Sequence, residues 1–201
     1  IWGHPQSTTQ SDPSYNFYYV DAEEPDSYNS FMADPHFYNL FSKNDIRREL
    51  FKWMREGYMG YCKFRIRADQ TGDIVVMRSA EMYLIEAEAN CHIGGKDAET
   101  QKLLVALNKD SGRNPAYTCT KTGDNLLQEV KLYRRIELWG EGFDWFDYKR
   151  WKEPIVRKAY PEGSFHVQFA ITIQPSDNNQ WTWVFPAKEV DYNDALSSYI
   201  E

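Results

Sequence analysis

The sequence predicts a mainly α-helical fold with long irregular segments and a small β-hairpin near the C-terminus. Three observations carry that reading. Apolar residues recur at helical spacing across 78–93, 98–109 and 125–141. Residues 1–43 are rich in Ser, Thr, Asn, Asp, Pro and aromatics and hold no sustained period. Residues 165–185 switch to a period of two.

Taken in order, the loop-rich start leaves room for a short strand at 17–20, and 45–56 reads as one short helix. Segments 63–67 and 73–77 read as extended. In the helix at 78–93, Ala80, Tyr83, Leu84, Ala87 and Cys91 share one face, and Met82, Ile85, Ala89 and Ile93 share the opposite one. A helix apolar on two opposed sides is expected between neighbours, as in stacked helix pairs. Gly94 and Gly95 end it, because glycine reaches the positive φ of a C-cap without a Cβ penalty. Asp97 is the expected N-cap of a helix over 98–109, and Asn114-Pro115 is its expected stop. Asp124 is the expected cap of the helix over 125–141, with Leu126, Val130 and Tyr133 as its core stripe and Gly142 as its stop. Phe143–Trp151 reads as a short helix or turn dense in rings. Phe165, Val167, Phe169, Ile171 and Ile173 alternate with His166, Gln168, Ala170, Thr172 and Gln174, as on a half-buried strand, and Trp181, Trp183 and Phe185 alternate again. A hairpin turning at 175–180 follows. With no compelling boundary, 1–201 reads as one domain or as part of a larger one.

Charge and composition exclude several functions. A net charge of −7 and the lack of a long Lys/Arg run argue against nucleic acid, whose phosphates need a basic patch. No apolar run approaches the ~18 residues of a membrane span. Cys62, Cys91 and Cys119 have no C-x-x-C spacing, so a zinc site is not expected, and Cys91 is expected to be buried on its helix stripe. His4, His36, His92 and His166 are scattered, and no nucleophile elbow or phosphate loop is present, so neither metal nor cofactor is expected. Asp177-Asn178-Asn179 has oxygen ligands for a cation, although a hairpin turn calls for the same residues. Glu137 and Glu141 lie four residues apart with Asp144 and Asp147 behind them. Glycoside hydrolysis needs two carboxylates about 5–10 Å apart across one cleft. Arg134, Arg135, Lys149 and Arg150 stand close by, so mutual pairing between helices is the expected use of these charges.

Four blocks then align with a known family. Arg78-Ser79-Ala80-Glu81-Met82-Tyr83-Leu84-Ile85-Glu86-Ala87-Glu88-Ala89 resembles the R-x-A-E-x-Y-L-x-x-A-E-A signature of the SusD/RagB family, surface nutrient-binding lipoproteins of Bacteroidetes. The run from Arg134 to Trp151 resembles its R-R-x-E-L-x-x-E-G-x-x-W-x-D-x-x-R-W block, and Phe185–Asn193 its closing I-P-x-x-E-x-x-x-N segment. Asp45-Ile46-Arg47 and Lys63-Phe64 fit the looser D-x-R and K-F positions. Gly140 stands where the family usually has a large apolar residue, Asp144 where a basic residue is common, and Asp194 where proline often follows the Asn.

The resemblance implies a SusD-like C-terminal region built on helix pairs of the tetratricopeptide type. It implies a non-catalytic role, capture of a glycan or other nutrient for a SusC-like TonB-dependent transporter, with no cofactor. The chain opens on Ile1 without a leader pattern, and by resemblance an N-terminal half with the signal peptide, the lipidated cysteine of an outer-membrane anchor and most helical repeats lies outside it. A helical-repeat protein-interaction module is the rival, and a glycoside hydrolase the next.

Aromatic residues make up 16% of the chain, and they crowd the polar stretch 1–61. A sugar ring packs its C–H face on such rings and needs amide and carboxylate partners for its hydroxyls. Trp2, Tyr15, Tyr28 and Trp53 are the candidate stacking rings and Asn29 a candidate hydroxyl partner.

Overall fold

The computed structural model describes residues 2–9, 32–64, 67, 71–163 and 165–176, together with 181, 186, 188, 189, 192, 193 and 195; for Trp2 it describes the backbone alone. The expected strand at 17–20, the cation turn at 177–179 and the strand at 182–185 lie outside these residues.

The fold is mainly α, as its periodicity requires, with three small two-stranded sheets among the described residues. In chain order, β1 (Trp2–His4) precedes α1 (Pro35–Tyr38), a 3-10 turn (Ile46–Leu50), β2 (Phe51–Arg55), β3 (Tyr58–Tyr61) and β4 (Ile74–Met77). Then come α2 (Ser79–Ile93), α3 (Asp97–Val105), a π-helical turn (Ala106–Asp110), α4 (Gly123–Leu138) and α5 (Asp144–Trp151). The strands β5 (Ile155–Val156) and β6 (Thr172–Ile173) complete the described elements. All three pairs, β1 with β4, β2 with β3 and β5 with β6, are antiparallel.

The helix α2 packs on both α3 and α4. Its inner stripe is Ala80, Leu84 and Ala87, and it meets Leu104 and Leu107 from one neighbour and Leu126, Val130, Tyr133 and Ile136 from the other. Burying a Leu or Ile side chain contributes about 1.5–3 kcal/mol each, and this stripe sets the helix layer. An aromatic extension of the same core joins Phe37, Phe41, Phe51 and Tyr61 to Trp139 at the end of α4, where Phe51 and Trp139 stack with centroids 5.0 Å apart.

Several expectations need correction. The second stripe of α2 is uncovered: Leu84 is 0% exposed but Ile85 is 47% exposed, and Met82 and Ile93 also face solvent. Periodicity shows that a face is apolar; it does not supply the neighbour that covers it. Residues 45–56 form a 3-10 turn followed by a strand, with the Asp45 carboxylate accepting from Arg47 N at the turn's start. Strand β4 is as expected, but no strand forms among the described residues of 63–67. The expected strand over 165–173 is broken by a 3-10 turn at Val167–Phe169; Phe165 makes an isolated bridge to Ala159, and Thr172–Ile173 pairs with Ile155–Val156. A two-residue partner cannot template a nine-residue strand. Neither expected aspartate caps its helix: Lys96 and Thr122 hold those positions, and Asp97 Oδ2 instead accepts from Gly123 N, tying α3 to the start of α4. Cys62 is buried, whereas Cys91 is partly buried. No helix among the described residues is long and apolar enough to cross a membrane.

Candidate functional site

Between the helix layer and the small sheets lies a buried ion network. Arg47 grips Asp45 through Nε and Nη2 at 2.9 and 2.7 Å, and its Nη1 reaches Glu137 Oε2 at 2.7 Å. Asn108 of the π-helical turn accepts from Arg47 Nη2 at 2.7 Å. Arg78, just before α2, donates to Glu137 Oε1 at 2.6 Å and to both oxygens of Glu141, and Arg113 lies 3.1 Å from Glu137 Oε2. Burial by itself would push the Glu137 carboxyl up, but Arg113, Arg78 and Arg47 together hold it below its ordinary value. A general acid needs the opposite shift, and Glu141 is likewise taken up by Arg78 and Lys63. This pair is therefore not a free acid and nucleophile.

A second cluster joins the other motif residues. Arg134 Nε meets Asp147 Oδ2 at 2.6 Å, and Arg150 bridges Asp147 to Glu88 on α2. Trp151 Nε1 donates to Glu88 Oε1 at 2.7 Å. The blocks at 45–47, 63–64, 78–89 and 134–151 are thus tied to one another by charge-assisted hydrogen bonds, which fix the relative placement of α2, α4 and α5.

The C-terminal end of α4 receives special treatment. The Lys63 ammonium donates to the carbonyls of Glu137 and Trp139 at 3.1 and 2.6 Å, and Arg78 Nη2 donates to the Glu137 carbonyl at 2.8 Å. These carbonyls have no intrahelical partner, and a cation there also suits the helix dipole. The chain then turns at Gly140 with φ +74, where a Cβ would stand 2.6 Å from the Phe64 ring. Only glycine fits both the positive φ and the close approach.

That turn opens a pocket of about 490 Å3. One wall is Ala33, Phe37, Phe51, Tyr61 and Phe64, a second is Trp139, Gly140, Trp145 and Tyr148, and a third is Ile155, Val156, Arg157 and Phe165. Arg135 and Asp144 also line it. The Arg135 guanidinium lies 5.9 Å from the Phe37 centroid and 5.2 Å from that of Tyr148, a cation–π clamp. Its Nε is shielded from solvent and donates to no acceptor. Burial pushes the Asp144 carboxyl above its ordinary value, with Arg135 pulling the other way. Among the described residues no group of His, Cys, Asp and Glu is arranged to hold a metal ion.

Of the sequence-derived site residues, Trp53 lies on β2 and is 52% exposed. Trp2 is placed by its backbone, paired with Met77. Tyr15, Tyr28 and Asn29 lie outside the described residues. The pocket brings together residues that sequence reasoning assigned to ion pairing (Arg135 and Asp144), to the helix over 125–141 (Trp139) or to an aromatic turn (Trp145 and Tyr148). A signal for them was present: six rings fall within 139–151, more than a short amphipathic helix needs for its buried side.

Residues 49–199 match the SusD family. A SusD-like carbohydrate binding protein from Bacteroides vulgatus ATCC 8482 is similar at 38% identity and a TM-score of 0.69, over 87% of this chain and 39% of that one. A SusD superfamily protein from Bacteroides thetaiotaomicron VPI-5482 is similar at 26% identity and a TM-score of 0.73, over 90% of this chain and 42% of that one. A third, from Bacteroides fragilis, shares the fold at 23% identity and a TM-score of 0.68, over 96% of this chain and 43% of that one. Comparison with curated proteins gives no match. The chain thus spans about two fifths of the length of these solved structures. With three quarters of its residues inside the family match, the chain belongs to the SusD family.

Proposed function

We propose that this protein captures a glycan, or another hydroxyl-rich nutrient, at the outer-membrane surface and passes it unchanged to a SusC-like TonB-dependent transporter. The observation that carries this reading is the aromatic pocket, with Arg135 and Asp144 unengaged in it. The 38% identity to a SusD-like carbohydrate binding protein supports it. Aromatic walls take the C–H faces of a sugar, and a few fixed polar groups orient it. Trp53, exposed beside the pocket-lining residues of β2 and β3, would add a stacking ring, and Trp2, Tyr15, Tyr28 and Asn29 are candidates for the same surface. Membrane attachment in this reading comes from a lipid anchor.

The role is binding without bond cleavage. The two motif glutamates serve structural ion pairs, which supports that reading. A glycan array probed with the intact protein, followed by calorimetry on the hits, should find binding, with no reducing sugar released above a no-protein control. Release that disappears in Glu137→Gln or Asp147→Asn would place the protein among hydrolases. Silence across the array would end the glycan reading.

One observation favours a second reading, a helix-mediated protein contact. Met82, Ile85 and Ile93 form an exposed apolar stripe on α2. The two readings are compatible, since the stripe and the pocket lie on different elements.

A further inference from the structure

Two carboxylates, Asp34 and Asp144, and two cations, Arg135 and Arg157, line the pocket. Asp34 caps α1 by accepting from His36 N, and the Arg157 guanidinium lies 5.4 Å from the Phe165 centroid. Arg135 and Asp144 form no side-chain hydrogen bond or ion pair with each other or with another described residue. Arg135 is clamped between Phe37 and Tyr148, which sets its plane without using its N–H donors. Asp144 opens α5, where a carboxylate suits the helix dipole, but its oxygens accept no hydrogen bond. Partly buried charges left this way carry a desolvation cost that protein groups normally offset.

The pair restricts what can fill the pocket. An anionic ligand would satisfy Arg135 while facing Asp144, and a cationic one would do the reverse. A neutral ligand offering an acceptor and a donor on adjacent atoms satisfies both. Two neighbouring hydroxyls do this, because each is both donor and acceptor. The walls supply rings for the apolar face of such a ligand, and about 490 Å3 is within the range of small-molecule sites, about 300–1,000 Å3. We propose that this pocket is a subsite for a neutral sugar ring carrying two adjacent free hydroxyls, one donating to Asp144 and the other accepting from Arg135. This rests on the glycan-capture reading and gives it a ligand class.

The test titrates the intact protein with laminari-, cello-, manno- and xylo-oligosaccharides, with their permethylated forms, and with oligogalacturonate. Trp139 and Trp145 line the pocket, so intrinsic fluorescence can follow binding beside calorimetry. At least one neutral oligosaccharide should bind and its permethylated form should not. Asp144→Asn and Arg135→Gln should each weaken binding about tenfold to a hundredfold, the effect of losing one charged hydrogen bond. Val156→Trp, a half-exposed position at the pocket wall, should block binding while the protein keeps its melting temperature. That variant decides the matter if either charge variant unfolds. Neutral-sugar binding that is unchanged in Val156→Trp and in the charge variants overturns the pocket assignment and leaves the glycan reading standing. Preference for oligogalacturonate, tightened by Asp144→Asn, overturns the neutral-diol assignment. Failure of the wild-type protein to bind any of the panel overturns both.

Discussion

Glu137→Ala should lower the melting temperature by about 6–12 °C at neutral pH. The Glu137 side chain is 3% exposed and holds Arg47, Arg78 and Arg113 at 2.7, 2.6 and 3.1 Å. Breaking a buried ion pair by removing one partner costs about 3–5 kcal/mol, because the other charge is left without compensation. Here the stranded cations are partly provided for. Arg47 keeps Asp45 and Asn108, Arg78 keeps Glu141, and Arg113 is 30% exposed and can turn to water. The lower end, about 3 kcal/mol, therefore applies. For a protein of this size each kcal/mol moves the midpoint by about 2–4 °C. Calorimetry of both proteins reads the shift, and a repeat across pH reads its origin. The folded Glu137 carboxyl sits below its ordinary 4.5, since its three arginines outweigh burial. A depressed carboxyl contributes fully above the unfolded value and loses that contribution as pH falls through the folded one. The gap between wild type and variant should therefore be full above about pH 4.5 and narrow below it. A neutral-pH shift under about 2 °C, or a gap that widens in acid, would refute the ion-network account.

Other expectations follow from single residues. Leu84→Ala should cost about 2–5 kcal/mol, while Ile85→Ala on the uncovered face should cost under about 1 kcal/mol; equal costs by urea denaturation would mean that both faces of α2 are covered. Burial pushes the Lys63 ammonium down to about 8, with Glu141 opposing, against an ordinary 10.5. Its stability contribution is thus full above about pH 10.5 and lost as pH falls through about 8, so wild type should gain on Lys63→Met across that window, and a flat difference would contradict it. Trp53→Ala should weaken glycan binding by about 1 kcal/mol, roughly fivefold, with the melt unchanged; unchanged affinity would remove Trp53 from the ligand surface.

The three long helices were legible because each buries a stripe with the 3.6-residue period, and their starts and ends fall within a few residues of the expected ones, whereas α1 lies in a stretch read as loop. The role of Arg134, Glu137 and Glu141 was legible as well, since oppositely charged side chains clustered at helical spacing favour pairing over catalysis. Their partners were not legible: Arg47 and Arg78 lie ninety and fifty-nine residues from Glu137, and no local pattern joins them. The alternation at 165–173 misled because a period of two describes side chains and says nothing about a partner strand long enough to pair. The pocket escaped for a related reason. Arg135 and Asp144 look like their neighbours Arg134 and Asp147 in sequence, yet one pair forms a 2.6 Å ion pair and the other forms none. Only the tertiary arrangement tells them apart.

The ion network and the pocket are parts of one construction. Lys63 and Arg78 close the C-terminal end of α4 by binding its last carbonyls, and that closure places Trp139 where the chain turns. The Lys63 ammonium also lies 4.8 Å from the Trp139 ring centroid. Trp139 in turn packs on Phe51 and Tyr61 of the hairpin, so the pocket's first two walls are pinned together through one side chain. Glu137 and Arg135, two residues apart, leave nearly opposite sides of the same helix, the first into the network and the second into the pocket. A rigid network on one side of α4 thus fixes the position of an unpaired cation on the other. This preorganisation is what a binding site requires, because a group already held in place loses little freedom when the ligand arrives.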